Sequence, residues 1–313
     1  MGPRLRRFVR LRRSSLALML RGKGLARRFL ALGLLLTAAA CSGGGSGEIP
    51  DSSETYVVSF MDVAGRDHTL QGPARRVISL VPSATETIRA IGSGAALVGV
   101  TDYDQPGVDG PVASVGGGVE PNLEAVVALP PDVVIRFHGD QDPRTPERLD
   151  ALGIRHVAVR PVALADVFET NRIIGRLLGR PAAADSLSSA IRDGLAELEA
   201  AVSDLPRQRV VYMLGGSPPW VSGPGTYISE ILALAGGDNV FEDLSNPYQA
   251  VSPEELRSRE IDIVLVSSAG SYDPALTPTA RVEVVGDALQ VPGPDVVEAA
   301  AAMAEILHGR PVR

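Results

Sequence analysis

Cysteine and histidine, the side chains that most often act as nucleophile or base near neutral pH, are scarce in this chain. One cysteine, Cys41, and four histidines, His68, His138, His156 and His308, are spread over 313 residues. Ser83 stands just after the apolar run 77–81 and Pro82, where a strand should give way to a helix. A nucleophilic serine at such a turn needs a Gly-x-Ser-x-Gly elbow and a histidine base. Its neighbours here read Val-Pro-Ser-Ala-Thr, and no histidine has a clear partner. Glu86, three residues on, makes Ser83 the expected N-cap of a capping box. His68, His156 and His308 fall in a hairpin, a strand and the C-terminal tail, without metal-ligand spacing. The chain is not expected to be an enzyme.

The elements that would position these residues follow from the pattern. Val77 to Val81 is a short β-branched run, the mark of a buried parallel strand, and Gly92 is a natural C′ residue for the helix after it. Residues 56–60 and 68–70 flank Asp62-Val-Ala-Gly-Arg66 and read as a hairpin. Strands at 97–100, 133–137 and 154–159 alternate with helices capped near Asn122 and Pro146, which predicts a parallel sheet. Residues 163–178 and 182–205 are amphipathic and contain no strand signal. After Pro206 the first pattern recurs. Arg209-Val-Val-Tyr-Met-Leu214 echoes Arg76-Val-Ile-Ser-Leu80, and Ser252-Pro-Glu-Glu-Leu echoes Asn122-Leu-Glu-Ala-Val, with Glu254 over Glu124. The fold expected is α/β: two Rossmann-like lobes with parallel sheets, joined by one long backbone helix, with a ligand cleft between them. In residue numbers these are an N-terminal lobe over 56–180, the linking helix over 181–205 and a C-terminal lobe over 206–313.

Residues 1–40 read as targeting. They hold nine arginines, Lys23 and no acid, then an apolar core from Phe29 to Thr37 and the small residues Ala38 to Ala40. Met19 is the more ordinary start for such a leader. A core ending at a lone Cys41 resembles a bacterial lipobox, with Ala38 where leucine is usual. Cys41 is therefore the expected lipidation site, and 41–55, with Ser42-Gly-Gly-Gly-Ser-Gly47, a flexible tether. Removing residues 1–40 leaves 20 arginines against 37 acids, a net charge near −17. So acidic a body argues against a nucleic-acid partner and suits docking on a basic surface.

Four motifs together resemble the helical-backbone (class III) substrate-binding proteins of ABC transporters, which take up cobalamin, ferric siderophores and haem. They are Asp62-x-x-Gly-Arg66, Arg76-Val-Ile-Ser-Leu-x-Pro-Ser-x-Thr-Glu86, Asn122-Leu-Glu with Pro-Asp132-Val-Val-Ile, and Ala-Gly-Gly-Asp-Asn-Val-Phe241. Within that class the stretches 77–86, 218–223 and 246–252 look most like periplasmic vitamin B12-binding proteins. The resemblance implies a receptor that captures a corrinoid and delivers it to the permease, a siderophore or haem being the alternative. It places Tyr103 and Phe137 on the first-lobe side of the ligand, and Trp220 and Tyr248 on the second. Rigid rings suit a broad, flat, largely apolar ligand, and only 4% of the chain is aromatic. Glu124 and Glu254 resemble the paired acids that dock on arginines of the transporter's membrane subunits. His138 is the one histidine placed to reach the metal of a bound chelate, against the more ordinary role of a surface residue. Arg136 and Arg160, at strand ends, are the basic candidates for an anionic chelate. Two departures stand out. Cobalamin-binding relatives often carry a tryptophan in the loop that reads Val115-Gly-Gly-Gly-Val119, and Asp295 follows Pro-Gly-Pro where arginine is common. The resemblance further implies a monomer with no cofactor of its own, exported and lipid-anchored to the membrane, facing the periplasm or cell exterior.

Overall fold

A hairpin opens the described residues. In the computed structural model, which describes residues 57–107, 110–139, 142–268, 270, 272–286 and 292–312, β1 (Val58–Met61) pairs antiparallel with β2 (Asp67–Leu70). Cys41, the leader and the tether lie outside the described residues. Gly65 turns the hairpin at φ 75°, a conformation glycine adopts without steric cost. Asp62 is its organiser: one carboxylate oxygen accepts from the backbone N–H of Ala64 and Arg66, and the other from Ala158 N–H and the His68 ring at 2.9 Å.

β3 (Val77–Ser79), α1 (Pro82–Ala90), β4 (Leu97–Val100), β5 (Ala113–Ser114), α2 (Leu123–Ala128), β6 (Val133–Phe137), α3 (Thr145–Ala151) and β7 (His156–Val159) form the first lobe. Its sheet runs β5-β4-β3-β6-β7, every pair parallel. The central strands β3, β6 and β7 are buried on both faces, as their near-continuous apolar runs require, while the edge strand β5 is exposed.

α4 (Leu164–Leu177) and α5 (Pro181–Val202) follow, joined by a turn at Gly179. Twenty-two residues give α5 a length of roughly 33 Å. Its first turns place Ala183 and Ala184 against the first-lobe core, Leu187 touches both cores, and its later turns place Ile191, Leu195, Leu198 and Val202 in the second-lobe core. α4 does the reverse, with Val167 in the second core and Ile173, Ile174 and Leu177 in the first. Two helices therefore span both lobes, where the sequence points to one.

The second lobe contains β8 (Gln208–Gly215), β9 (Trp220–Ser222), α6 (Tyr227–Leu234), β10 (Gly237–Asn239), β11 (Tyr248–Ala250), α7 (Pro253–Ser258), β12 (Ile263–Val266), β13 (Arg281–Val284) and α8 (Val296–His308). The strand order is β11-β9-β8-β12-β13, with β10 also on β8. The pairs around β8, β10, β12 and β13 are parallel, as expected, whereas β9 and β11 join antiparallel. The likeness of the lobes is close at α2 and α7. Asn122 and Ser252 cap them through their side chains, and Asp132 and Asp262 accept from the backbone N–H of Arg76 and Arg209 respectively. Residues 121–130 and 251–260 share the same residue-by-residue burial. No helix among the described residues is long and apolar enough to cross a membrane.

Candidate ligand cleft and docking face

α1 starts two residues earlier than its sequence suggests. Val81 is the N-cap and Pro82 the first helical residue, a position proline favours because its fixed φ suits the helix and its missing N–H is not needed there. Ser83 therefore sits inside the first turn and makes no cap hydrogen bond, which overturns the capping box expected with Glu86. Its Oγ is buried and has no hydrogen-bond partner among the described residues. It follows that no base stands ready to take its proton. Glu86 instead pairs with Arg89, 2.9 Å away. Burial pushes the Glu86 carboxyl up, Arg89 pulls it down, and Asp295 and Asp104 push it up again. Asp295 thus lies within electrostatic reach of α1. A Cβ built on Gly293 would lie 3.8–3.9 Å from Ser83 and Glu86, so the Pro-Gly-Pro segment packs against this helix.

A cavity of about 410 Å³ opens beside this contact. Tyr212 and Leu214 of β8, Tyr227 and Ile228 of α6, and Tyr248 of β11 line it, together with Pro161, Ser267 and Pro292. It lies at the carboxyl ends of β8 and β12 and the start of α6, the edge where open α/β sheets bind ligands. No charged side chain is among these lining residues. Burial, with the neighbouring Tyr212, pushes the Tyr248 phenol up to about 12. Burial and the other two phenols push Tyr227 higher still. Both remain protonated hydrogen-bond donors over any physiological range.

Of the four rings expected at a ligand, Tyr248 lines this cavity, and Tyr103, Phe137 and Trp220 do not. Tyr103 is 73% exposed in the turn after β4, and Trp220 is 48% exposed at the start of β9. Phe137 ends β6, packed on the first-lobe core with its ring beside Gly139. Trp220 and Tyr248 belong to adjacent antiparallel strands, in the register Ala250↔Trp220 and Tyr248↔Ser222. Tyr212 and Tyr227 escaped the sequence reading because one lies mid-strand and the other in a first helical turn, positions that read as core. At the loop Val115–Val119, a Cβ on Gly118 would fall 2.5 Å from the Leu80 carbonyl oxygen. That position admits no side chain.

The basic candidates do not approach the cavity. Arg136 is 5% exposed; its Nε donates to His156 Nδ1 at 3.0 Å and its Nη1 to the Phe137 carbonyl at 2.9 Å. Arg160 is exposed and faces Asp166 at 3.5 Å. His138 is partly buried, and its backbone N–H donates to the Val159 carbonyl. Among the described residues no group of three acids, histidines or cysteines is placed to hold a metal. A second acceptor joins Ser83: Asp104 Oδ2 takes Thr101 N–H and Oγ1–H at 2.7 Å, while its Oδ1 is buried without a partner among the described residues.

Glu124 and Glu254 occupy the same place in α2 and α7, both exposed and both in the first turn, where a carboxylate is favoured by the helix dipole. Arg257 lies 3.9 Å from Glu254.

Residues 77–282 match the periplasmic binding protein family. The chain is 32% identical over 286 residues to a cobalamin-binding protein of Halobacterium salinarum, covering 82% of this chain and 76% of that one. It is 31% identical over 195 residues to a vitamin B12-binding protein of Salmonella typhimurium, covering 62% and 73%. Among solved structures, the periplasmic vitamin B12 binding protein of Vibrio cholerae aligns at TM-score 0.63 and 25% identity, over 75% of this chain and 98% of that one. A periplasmic haem binding protein from Pseudomonas aeruginosa aligns at TM-score 0.66 and 23% identity, over 76% and 96%.

Proposed function

The chain belongs to the periplasmic binding protein family, and from that premise we propose that it is the corrinoid receptor of an ABC importer. The observation that carries this choice of ligand is the uncharged, tyrosine-walled cavity. A haem with free propionates, or an anionic siderophore, would need basic partners to offset the loss of hydration. Arg136 and Arg160 are both engaged elsewhere. A corrinoid presents an apolar face and neutral amide side chains, which suit an apolar wall carrying phenol donors. Two cobalamin- or vitamin B12-binding relatives support the same choice.

In this reading Tyr248 and Tyr227 contact the ligand in the cavity, and Tyr103 and Trp220 cover its rim. Phe137 contributes only its outer edge, and His138 is a surface residue. The high exposure of Tyr103 and Trp220 supports that role, since a flat ligand would bury rings now left to water. Glu124 and Glu254 dock on basic side chains of the membrane subunits, setting orientation and encounter rate more than affinity. Cys41 carries the lipid anchor, and the receptor works as an exported monomer that catalyses no reaction.

Calorimetric titration of the protein from Ser42 onward with cyanocobalamin, dicyanocobinamide, haemin and a ferric hydroxamate tests the ligand. Saturable binding of the two corrinoids, with weak or no binding of the anionic chelates, is expected. Preference for haemin or the siderophore would overturn it.

A further inference from the structure

The two lobe tips share a backbone but not a surface. α2 and α7 match in length, side-chain cap and burial, so the fold asks the same of both. At matched positions α7 carries Pro253, Glu255 and Arg257, where α2 carries Leu123, Ala125 and Val127. The exposed apolar face of α2 is therefore not a requirement of the fold. It continues onto α3 and its end, where Leu152 is 49% exposed beside Val127 at 52%. Between them runs a groove of about 520 Å³, lined by Leu123, Glu124, Val127, Arg148, Ala151 and Leu152. The Glu124 carboxylate at this groove has no hydrogen-bond or ion-pair partner among the described residues. Arg148 lines the same groove without forming an ion pair to Glu124 among the described residues, so this is a largely apolar groove that still offers a free acid on an acidic body.

We propose that this groove is a one-sided socket for the importer's membrane subunit, taking an apolar side chain that stands next to an arginine or lysine on an extramembrane loop. The inference rests on the receptor reading and deepens it. The basic residue pairs with Glu124, and the apolar neighbour buries Val127 and Leu152. The second-lobe tip offers charge alone, because Arg257 fills the position of Val127 and lies near Glu254. Docking is then held mainly at the first lobe, with the second lobe guiding approach. Burying an apolar residue in a groove resists salt, whereas exposed charge pairs do not.

The test places p-benzoylphenylalanine at 127, 152 or 257 of the full chain in the producing cell, irradiates, and identifies cross-linked partners by mass spectrometry. Links from 127 and 152 to a loop of a polytopic transporter subunit are expected. Links to a second copy of this chain or to lipid would overturn the proposal. A link to the transporter from 257 alone would overturn it too, while leaving the receptor reading intact. With no transporter link from any position the proposal also falls, and the receptor reading falls with it only if cyanocobalamin fails to bind. Once the subunit is identified, Val127→Arg and Leu152→Glu should each weaken docking by about tenfold or more. Cyanocobalamin affinity, the check on folding, should be unchanged in both variants. Unchanged docking would overturn the socket.

Discussion

Ser83 and Asn122 both look like helix caps in the sequence, and the structure separates them. Asn122 Oδ1 accepts from the N–H of Glu124 and Ala125 at 3.1 and 3.2 Å, so Asn122→Ala should cost about 1 kcal/mol in denaturant unfolding. Ser83→Ala removes a buried hydroxyl without a partner, and should leave the stability of the unliganded protein unchanged or slightly higher. A loss as large as that of Asn122→Ala would contradict the geometry at α1. The Ser-x-x-Glu spacing misled because Pro82 claims the first helical position and moves the cap back to Val81. The binding residues were harder still to read. Tyr248 follows Asn-Pro and stands out, but Tyr212 and Tyr227 reach the cavity only because β8 and α6 end at the same edge. If this cavity holds the ligand, Tyr248→Ala should weaken cyanocobalamin binding by about tenfold, roughly 1.4 kcal/mol, in calorimetry. Unchanged affinity would move the site elsewhere in the cleft.

At the scale of elements, the Asp-x-x-Gly-Arg hairpin is a clamp on the first sheet. Burial alone would raise the Asp62 carboxyl, but the His68 ring and the N–H groups of Ala158 and Arg66 outweigh it, and its pKa falls to about 2. Arg66 grips Asp150 with both terminal nitrogens, at 3.0 and 3.1 Å. His156 lies beneath, fully buried. Its Nδ1 accepts from Arg136, so the neutral ring carries its proton on Nε2, facing Asp150 at 3.2 Å. Burial, then the charges of Arg136 and Arg66, depress the His156 pKa against the pull of Asp150. A group that folds neutral but titrates near 6.5 when unfolded favours the native state above that pH and loses the advantage as pH falls. Unfolding free energy should therefore decline below about pH 6.5, by at most about 1.4 kcal/mol per pH unit for this one proton. Asp62 adds a second loss of about 2 kcal/mol as pH falls from near 4 toward 2. Denaturant melts at pH 7.5 and 5.0 test the first part, since His156→Gln should flatten the difference between them. This motif was visible in the sequence, but its purpose was not, because Asp150 and His156 lie some ninety residues away.

In the molecule as a whole, two helices, α4 and α5, serve both cores. Alternation of strand and helix, the break at Gly179-Arg180-Pro181 and the repeat after Pro206 made two lobes and a connecting helix legible. That α4 also crosses was not legible, since its apolar residues do not say which core they enter. Other ties reinforce the helices: Tyr227 N–H donates to the Val162 carbonyl at 2.8 Å, Leu164 N–H donates to Glu230, and Gly293 packs on Ser83. Opening the cleft widely would bend α5 and break these bonds together, so the lobes should shift little when ligand enters. Small-angle scattering of the free and cyanocobalamin-saturated protein should give nearly superimposable profiles, and a wide hinge rotation would contradict this. The stiffness should also be removable. Ala190 is exposed in the middle of α5, so Ala190→Pro loses a helical hydrogen bond and clashes one turn back, at a cost of about 3 kcal/mol. Each half of α5 stays anchored in its own core, through Ala183 and Ala184 on one side and Ile191 to Val202 on the other. The variant should therefore keep two folded lobes but show a broader scattering profile that narrows when cyanocobalamin is added. A profile as narrow as that of the unaltered protein would mean that α4 and the interlobe bonds, rather than α5, hold the lobes in place.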